Sequence, residues 1–117
     1  MFGERELRWS KAEKNAARAA FELALAREMK IIRREAESLL HSAKDDFDVW
    51  KLHDYLTQKR REIDRKYDYR YSVLILLFAR LAHEDWLTLD ELSGLGQEKT
   101  GLIKEVLAFG EKMSKRK

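Results

Sequence analysis

An all-α fold is what this sequence predicts, and three observations carry that prediction. Residues 4–93 contain no glycine and no proline, a run of 90 residues without the two strongest helix breakers. Apolar residues recur at steps of three and four, the spacing of one helical face, and strand-like alternation is missing. Two segments, Ser10-Lys11-Ala12-Glu13 and Thr88-Leu89-Asp90-Glu91, have the reciprocal capping pattern that opens a helix.

The first helix is expected to start at Ser10. Its apolar stripe runs Phe21, Leu25, Met29, Ile32, Ala36, Leu39 and Ala43, widened by Ala17, Ala20 and Ala24. At 1.5 Å per residue such a helix reaches about 50 Å, longer than a compact domain of this size is wide, so it must project or meet a partner. Lys44-Asp45-Asp46 interrupts the stripe, and an aspartate there can cap a second helix. The next stripe, Val49, Leu52, Leu56, Ile63, Tyr67, Leu74, Leu77, Phe78 and Leu81, predicts one long helix, with its apolar positions giving out around Lys59, Arg60 and Arg61. Residues 73–77 are apolar all round, the mark of a buried end. After His83-Glu84-Asp85 a short helix should follow, stopped by Gly94 and Gly96. A last helix carries Leu102, Ile103, Val106 and Leu107 and should stop at Gly110.

The architecture this predicts is a single helical domain, residues 1–110. Two long antiparallel helices form a dimerisation stem, about residues 10–70, and a small helical head follows, about residues 71–110. One apolar stripe per helix leaves flanking apolar positions uncovered, and a twofold homodimer packing stem on stem would cover them.

Composition narrows the function. The absence of cysteine excludes disulfides, thiolate nucleophiles and iron-sulfur clusters, and fits a reducing compartment. No uncharged run approaches the roughly 20 residues of a membrane span, and residues 1–8 lack the order of a signal peptide, so a cytoplasmic protein is expected. The net charge of +3 belongs to the end of the chain, where Lys112, Lys115, Arg116 and Lys117 crowd into six residues. Without those four, 20 basic residues face 21 acidic ones, so residues 111–117 read as a solvated, disordered basic tail and nucleic acid is not an expected partner. His41, His53 and His83 stand apart, no metal-ligand spacing occurs, and neither a nucleophile elbow nor a phosphate loop is present. No metal, no cofactor and no catalysis are therefore expected.

One constellation remains. Trp50, His53 and Asp54 stand at i, i+3 and i+4 and so share a helical face, with Arg60 further along. Tryptophan and arginine are the residue types that dominate interaction hot spots. The same face can equally be core and seam within a dimer.

Trp50-Lys51-Leu52-His53-Asp54-Tyr55-Leu56, followed by Lys59-Arg60, Glu62-Ile63-Asp64, Lys66-Tyr67-Asp68, Arg70 and Ser72-Val73, resembles the signature of the fluorescence recovery protein family of cyanobacterial photoprotection. The resemblance extends through Trp9-Ser10 and Glu13 at the first cap, and onward to Glu91-Leu92, Lys99 and Ile103-Lys104. It implies a non-enzymatic helical dimer that binds the photoactivated orange carotenoid protein through its C-terminal domain. It implies faster return to the orange form, which ends quenching at the phycobilisome, with the protein at the cytoplasmic face of thylakoids. By position, Trp50, His53, Asp54 and Arg60 would serve the dimer interface and partner binding, with Asp54 of one chain a candidate partner for Arg60 of the other. In the head, Leu76, Leu102, Lys99 and Lys104 would face the partner. An aromatic residue and a lysine are expected in the family where Leu76 and Leu102 stand.

That departure leaves a second reading open, a dimer of this family that acts as an adaptor for another protein client. A third, nucleic-acid binding through Lys59, Arg60, Arg61, Arg65, Lys66 and Arg70, is weakened by the interspersed Glu62, Asp64 and Asp68.

Overall fold

The computed structural model describes residues 7–115. Their regular elements are all helical: α1 (Lys11–His41), α2 (Val49–Lys66), α3 (Leu74–His83) and α4 (Gln97–Lys115), with short 3-10 turns at Asp46–Asp48, Tyr71–Val73 and Asp90–Leu95. The chain forms two compact units. One is Leu25–Tyr67; the other consists of the described residues within Met1–Ala24 and Asp68–Lys117. The boundary thus falls inside α1, whose first turns belong with the C-terminal helices.

The terminal unit holds most of the core. Ala17, Ala20, Phe21 and Ala24 of α1 are buried, as are Leu74, Ile75, Leu77, Phe78, Ala79 and Leu81 of α3. Leu87, Leu92, Leu95 and Ile103 complete this core. Both capping boxes form as the sequence predicts. The Ser10 N–H donates to Glu13 Oε1 (2.8 Å) and the Glu13 N–H to Ser10 Oγ (3.1 Å). The Thr88 N–H donates to Glu91 Oε1 (2.9 Å) and the Glu91 N–H to Thr88 Oγ1 (3.2 Å). Gly96 ends the turn that follows with φ at +89°, a backbone conformation that glycine adopts without strain.

The unit Leu25–Tyr67 is a helical hairpin whose partners run in opposite order. Lys66 Nζ lies 2.6 Å from Glu28 Oε1 at one end, and Tyr55 donates to Glu35 further along. Asp45 turns the chain between the helices, its Oδ1 accepting from the N–H groups of Phe47 and Asp48 (2.9 and 3.2 Å). Asp48 closes the turn by accepting from the Lys44 N–H (2.8 Å), and that bond holds its carboxyl below the ordinary carboxylate value.

The structure corrects three expectations. The long second helix is broken: α2 ends at Lys66 and α3 begins at Leu74. Tyr67 leaves the helical region (φ −87°, ψ 73°) and its hydroxyl donates to Glu28 (2.8 Å). Residues 68–70 follow outside any helix, Arg70 being extended at φ −121° and ψ 131°, and Tyr71 opens the next 3-10 turn. There the Tyr69 ring meets the Phe21 ring edge-on (4.9 Å between centroids) and Tyr71 packs on Trp9 (5.3 Å). Tyrosine gains more from these contacts than it loses in helical propensity.

The last helix passes through Gly110 to Lys115. A glycine inside a helix costs only about 1 kcal/mol, and good helix formers follow it. Residues 111–115 of the expected tail are therefore helical backbone, while residues 116–117 lie outside the described residues. Finally, the apolar end of the second stripe is not buried all round, because Leu76 is 53% exposed.

Candidate functional site

Helix α2 places Trp50, His53 and Asp54 together. The Trp50 and His53 rings meet edge to face with centroids 5.9 Å apart, and His53 Nδ1 lies 3.5 Å from Asp54 Oδ1. All three side chains face solvent in the single chain, Trp50 being 60% exposed. Arg60, two turns on, is also exposed and donates from Nε to Asp64 Oδ2 at 3.3 Å, an intrahelical i,i+4 pair.

The exposure of α2 is its most informative property. The helix has a distinct apolar face, yet none of its residues is buried. A hydrophobic face is stabilising only when it leaves water, and on α2 Leu52, Tyr55 and Ile63 are only half-buried while Trp50 and Leu56 are exposed. Within the same hairpin, Leu40, Phe47, Val49 and Leu56 are exposed as well. A groove of about 510 Å³ opens there, floored by Met29, Ile32, Leu56 and Ile63 and rimmed by His53, Lys59, Arg60 and Arg61. His53 and Arg60 line it; Trp50 and Asp54 do not.

Around this groove the charges are mostly neutralised within the chain. Lys59 reaches Glu62 at 3.3 Å, and Gln58 with Lys59 holds the Glu62 carboxyl below its ordinary value. Tyr55 is pushed up to about 12, first by burial and then by its bond to the Glu35 carboxylate, so it serves as a neutral donor.

The head residues divide. Leu76 is exposed on α3, Lys104 is exposed on α4, and Leu102 is half-buried. Lys99 is different: it is 1% exposed, and its ammonium donates to the Arg8 carbonyl (2.6 Å) and to Glu13 Oε1 (3.1 Å) over the Trp9 ring. Lys99 is therefore committed inside the terminal unit and is not presented to a partner from its surface, which corrects its placing among the contact residues. Phe109, exposed on α4, is a surface aromatic that the sequence pattern did not single out, because the expected stop at Gly110 placed it at a helix end.

Among the described residues no three His, Asp or Glu side chains converge to hold a metal ion, and no helix is long and apolar enough to cross a membrane. The arrangement offers apolar surface, aromatic rings and arginine, which is chemistry for recognition.

Comparison with known proteins gives that recognition surface a context. The family described as the photoprotection regulator fluorescence recovery protein matches residues 9–108. The chain is 40% identical over 99 residues to the fluorescence recovery protein of Synechocystis sp., covering 85% of this chain and 91% of that protein. The solved structure of the Fremyella diplosiphon fluorescence recovery protein superposes with a TM-score of 0.78 at 42% identity, covering 86% of this chain and 98% of that one. The Synechocystis structure gives the same TM-score, 0.78, at 40% identity and the same coverage, 86% and 98%. With a match across nearly the whole described chain in both sequence and fold, this chain belongs to the fluorescence recovery protein family of photoprotection regulators.

Proposed function

We propose that this chain is a homodimeric, non-enzymatic regulator that binds the photoactivated orange carotenoid protein and accelerates its return to the orange form, ending quenching at the phycobilisome. It would act in the cytoplasm, at the thylakoid face. Membership of the family over residues 9–108 carries this reading. The uncovered face of α2 supports the dimer, since a second copy would bury Trp50 and Leu56 and bring His53, Asp54 and Arg60 to a seam. Within it, Arg60 can exchange its intrahelical Asp64 for Asp54 of the partner, and such a pair sets register more than it adds stability. Leu76 and Lys104, both exposed, and the half-buried Leu102 are the head residues offered to the client.

Mechanistically no bond need be made or broken. A dimer that grips the C-terminal domain of the opened carotenoid protein raises the effective concentration of its separated domains for one another, and so lowers the barrier to their reunion. The test is to photoconvert purified orange carotenoid protein, add this protein, and follow the absorbance in darkness. Dose-dependent acceleration supports the reading, and an unchanged rate without co-elution refutes it.

A second reading attaches to two residues. Leu76 and Leu102 stand where an aromatic residue and a lysine are expected, so the head could serve a different protein client while the dimer is kept. Acceleration by wild type that is unaffected by substitutions at Leu76 and Leu102 would place the client contact elsewhere.

A further inference from the structure

Tyr69 and Tyr71 do more than end a helix. On the first turns of α1, Lys11, Lys14 and Arg18 stand at i, i+3 and i+7, one exposed face of the helix. Two of these cations lie on the tyrosines. The Arg18 guanidinium is 3.8 Å from the centroid of the Tyr69 ring, and Lys14 Nζ is 5.5 Å from that of Tyr71. Among the described residues no ion pair joins either cation to a carboxylate: Glu22, one turn beyond Arg18, lies near enough to act on the Tyr69 hydroxyl, and Glu13 is spent on Ser10 and Lys99.

The platform beneath the cations is fixed from behind. Phe21, itself buried, holds Tyr69 edge-on at 4.9 Å. The Tyr69 hydroxyl donates to the Lys14 carbonyl at 3.5 Å, and the two tyrosine rings meet at 5.6 Å. A guanidinium stacked by its face keeps all its N–H donors, because they lie in its plane and point outward from the edge. Among the described residues Arg18 is thus held at a ring face with no hydrogen bond spending its donors. Holding a cation still before it binds removes part of the entropic cost of pairing it with a carboxylate.

We infer that Lys14 and Arg18, laid on Tyr71 and Tyr69, form a preorganised docking surface for an acidic segment of a protein partner, its carboxylates taken by the guanidinium edge. The inference deepens the proposed function, since it rests on the reading that the chain works by gripping a protein client. Tyrosine and arginine supply contact area and a directed fork, the combination found at binding hot spots.

The test has two parts. The intact protein, isotopically labelled, is titrated with a deca-glutamate peptide and followed by NMR. The expected result is a set of shifts concentrated at Lys14, Arg18, Tyr69 and Tyr71, with binding weakened at least about fivefold in Arg18→Met with Lys14→Met, which keeps the packing on the rings and removes the charge; Arg18→Lys should retain part of it. Absence of shifts overturns the inference, as do shifts equally large at Arg33, Arg34 and Arg61, or a 20-base-pair DNA duplex that binds the same residues more tightly at 150 mM salt. The second part assays the same variants for acceleration of carotenoid-protein reversion. Peptide binding at this cluster with no acceleration by wild type sinks the carotenoid protein as the client and leaves the acidic docking surface standing for another protein partner. Acceleration that is equal in wild type and the double variant sinks the inference and leaves the client reading.

Discussion

Lys99 Nζ lies 3.1 Å from Glu13 Oε1, joining the first turn of α1 to α4 across 86 residues of chain. The lysine is buried while the carboxylate is partly open, and a second bond to the Arg8 carbonyl and the face of Trp9 complete the ammonium's surroundings. A buried cation is tolerable only with such partners. Lys99→Met keeps the aliphatic volume but leaves the Arg8 carbonyl without its donor. It should cost about 1–3 kcal/mol, read as a lower urea midpoint with an unchanged denaturant slope. A midpoint equal to wild type would show that the pair is replaceable.

The same carboxylate makes stability sensitive to acid. Glu13 is held below its ordinary value of 4.5, first by the Ser10 N–H and then by Lys99. Folding therefore favours the charged form, so the stabilisation is fully present above about pH 4.5 and is lost as the pH falls through the lower folded value. Melting temperatures measured from about pH 6 to about pH 3 should drop more steeply for wild type than for Glu13→Gln, which has no proton to take up. Parallel curves would remove Glu13 from the acid response.

Two glycines are tied to the first turns of α1 by space. A Cβ built on Gly94 would lie 2.9 Å from the Ala16 Cβ, a rigid atom that cannot swing away. On Gly96 it would lie 3.0 Å from Glu13 Oε2, at a φ of +89° that side chains rarely adopt. Gly94→Ala should destabilise by about 1–3 kcal/mol through overpacking alone. Gly96→Ala should combine strain with displacement of the Glu13 carboxylate, so its cost should shrink in a Glu13→Ala background whereas that of Gly94→Ala should not. Additive costs in both backgrounds would contradict the proposed coupling.

Much of this fold is legible because its signals are local. Ser10 with Glu13 and Thr88 with Glu91 announce caps that form atom for atom, since a capping box needs only four consecutive residues. The break after Lys66 is not legible from the apolar stripe, which continues through Tyr67 to Leu74. Its cause is non-local, the pull of Glu28 on Tyr67 and of Phe21 on Tyr69. A signal was nonetheless present: tyrosines at 67, 69 and 71 repeat every two residues, the period of extended chain and not of helix. The shared face of Trp50, His53 and Asp54 follows from spacing alone. The burial of Lys99 does not, because lysine is ordinarily a surface residue and its carboxylate partner lies far off in sequence.

The uncovered face of α2 makes a prediction about mass. If a second copy covers Trp50 and Leu56, light scattering should give about 28 kDa, twice the 13.9 kDa of one chain, at micromolar concentration. Leu56→Glu would place like charges in the seam of a twofold pair and should return the mass to that of one chain. Trp50→Ala removes the largest exposed ring and should weaken association about tenfold or more, the scale of a hot-spot aromatic. Asp54→Leu should weaken or misregister the pair through loss of the Arg60 contact. Because none of the α2 residues is buried in the single chain, all three variants should keep their helix content by circular dichroism. Loss of helix together with loss of mass would mean that α2 folds only against its partner. A wild-type mass of 13.9 kDa that does not change with concentration would mean that something other than a second copy covers this face.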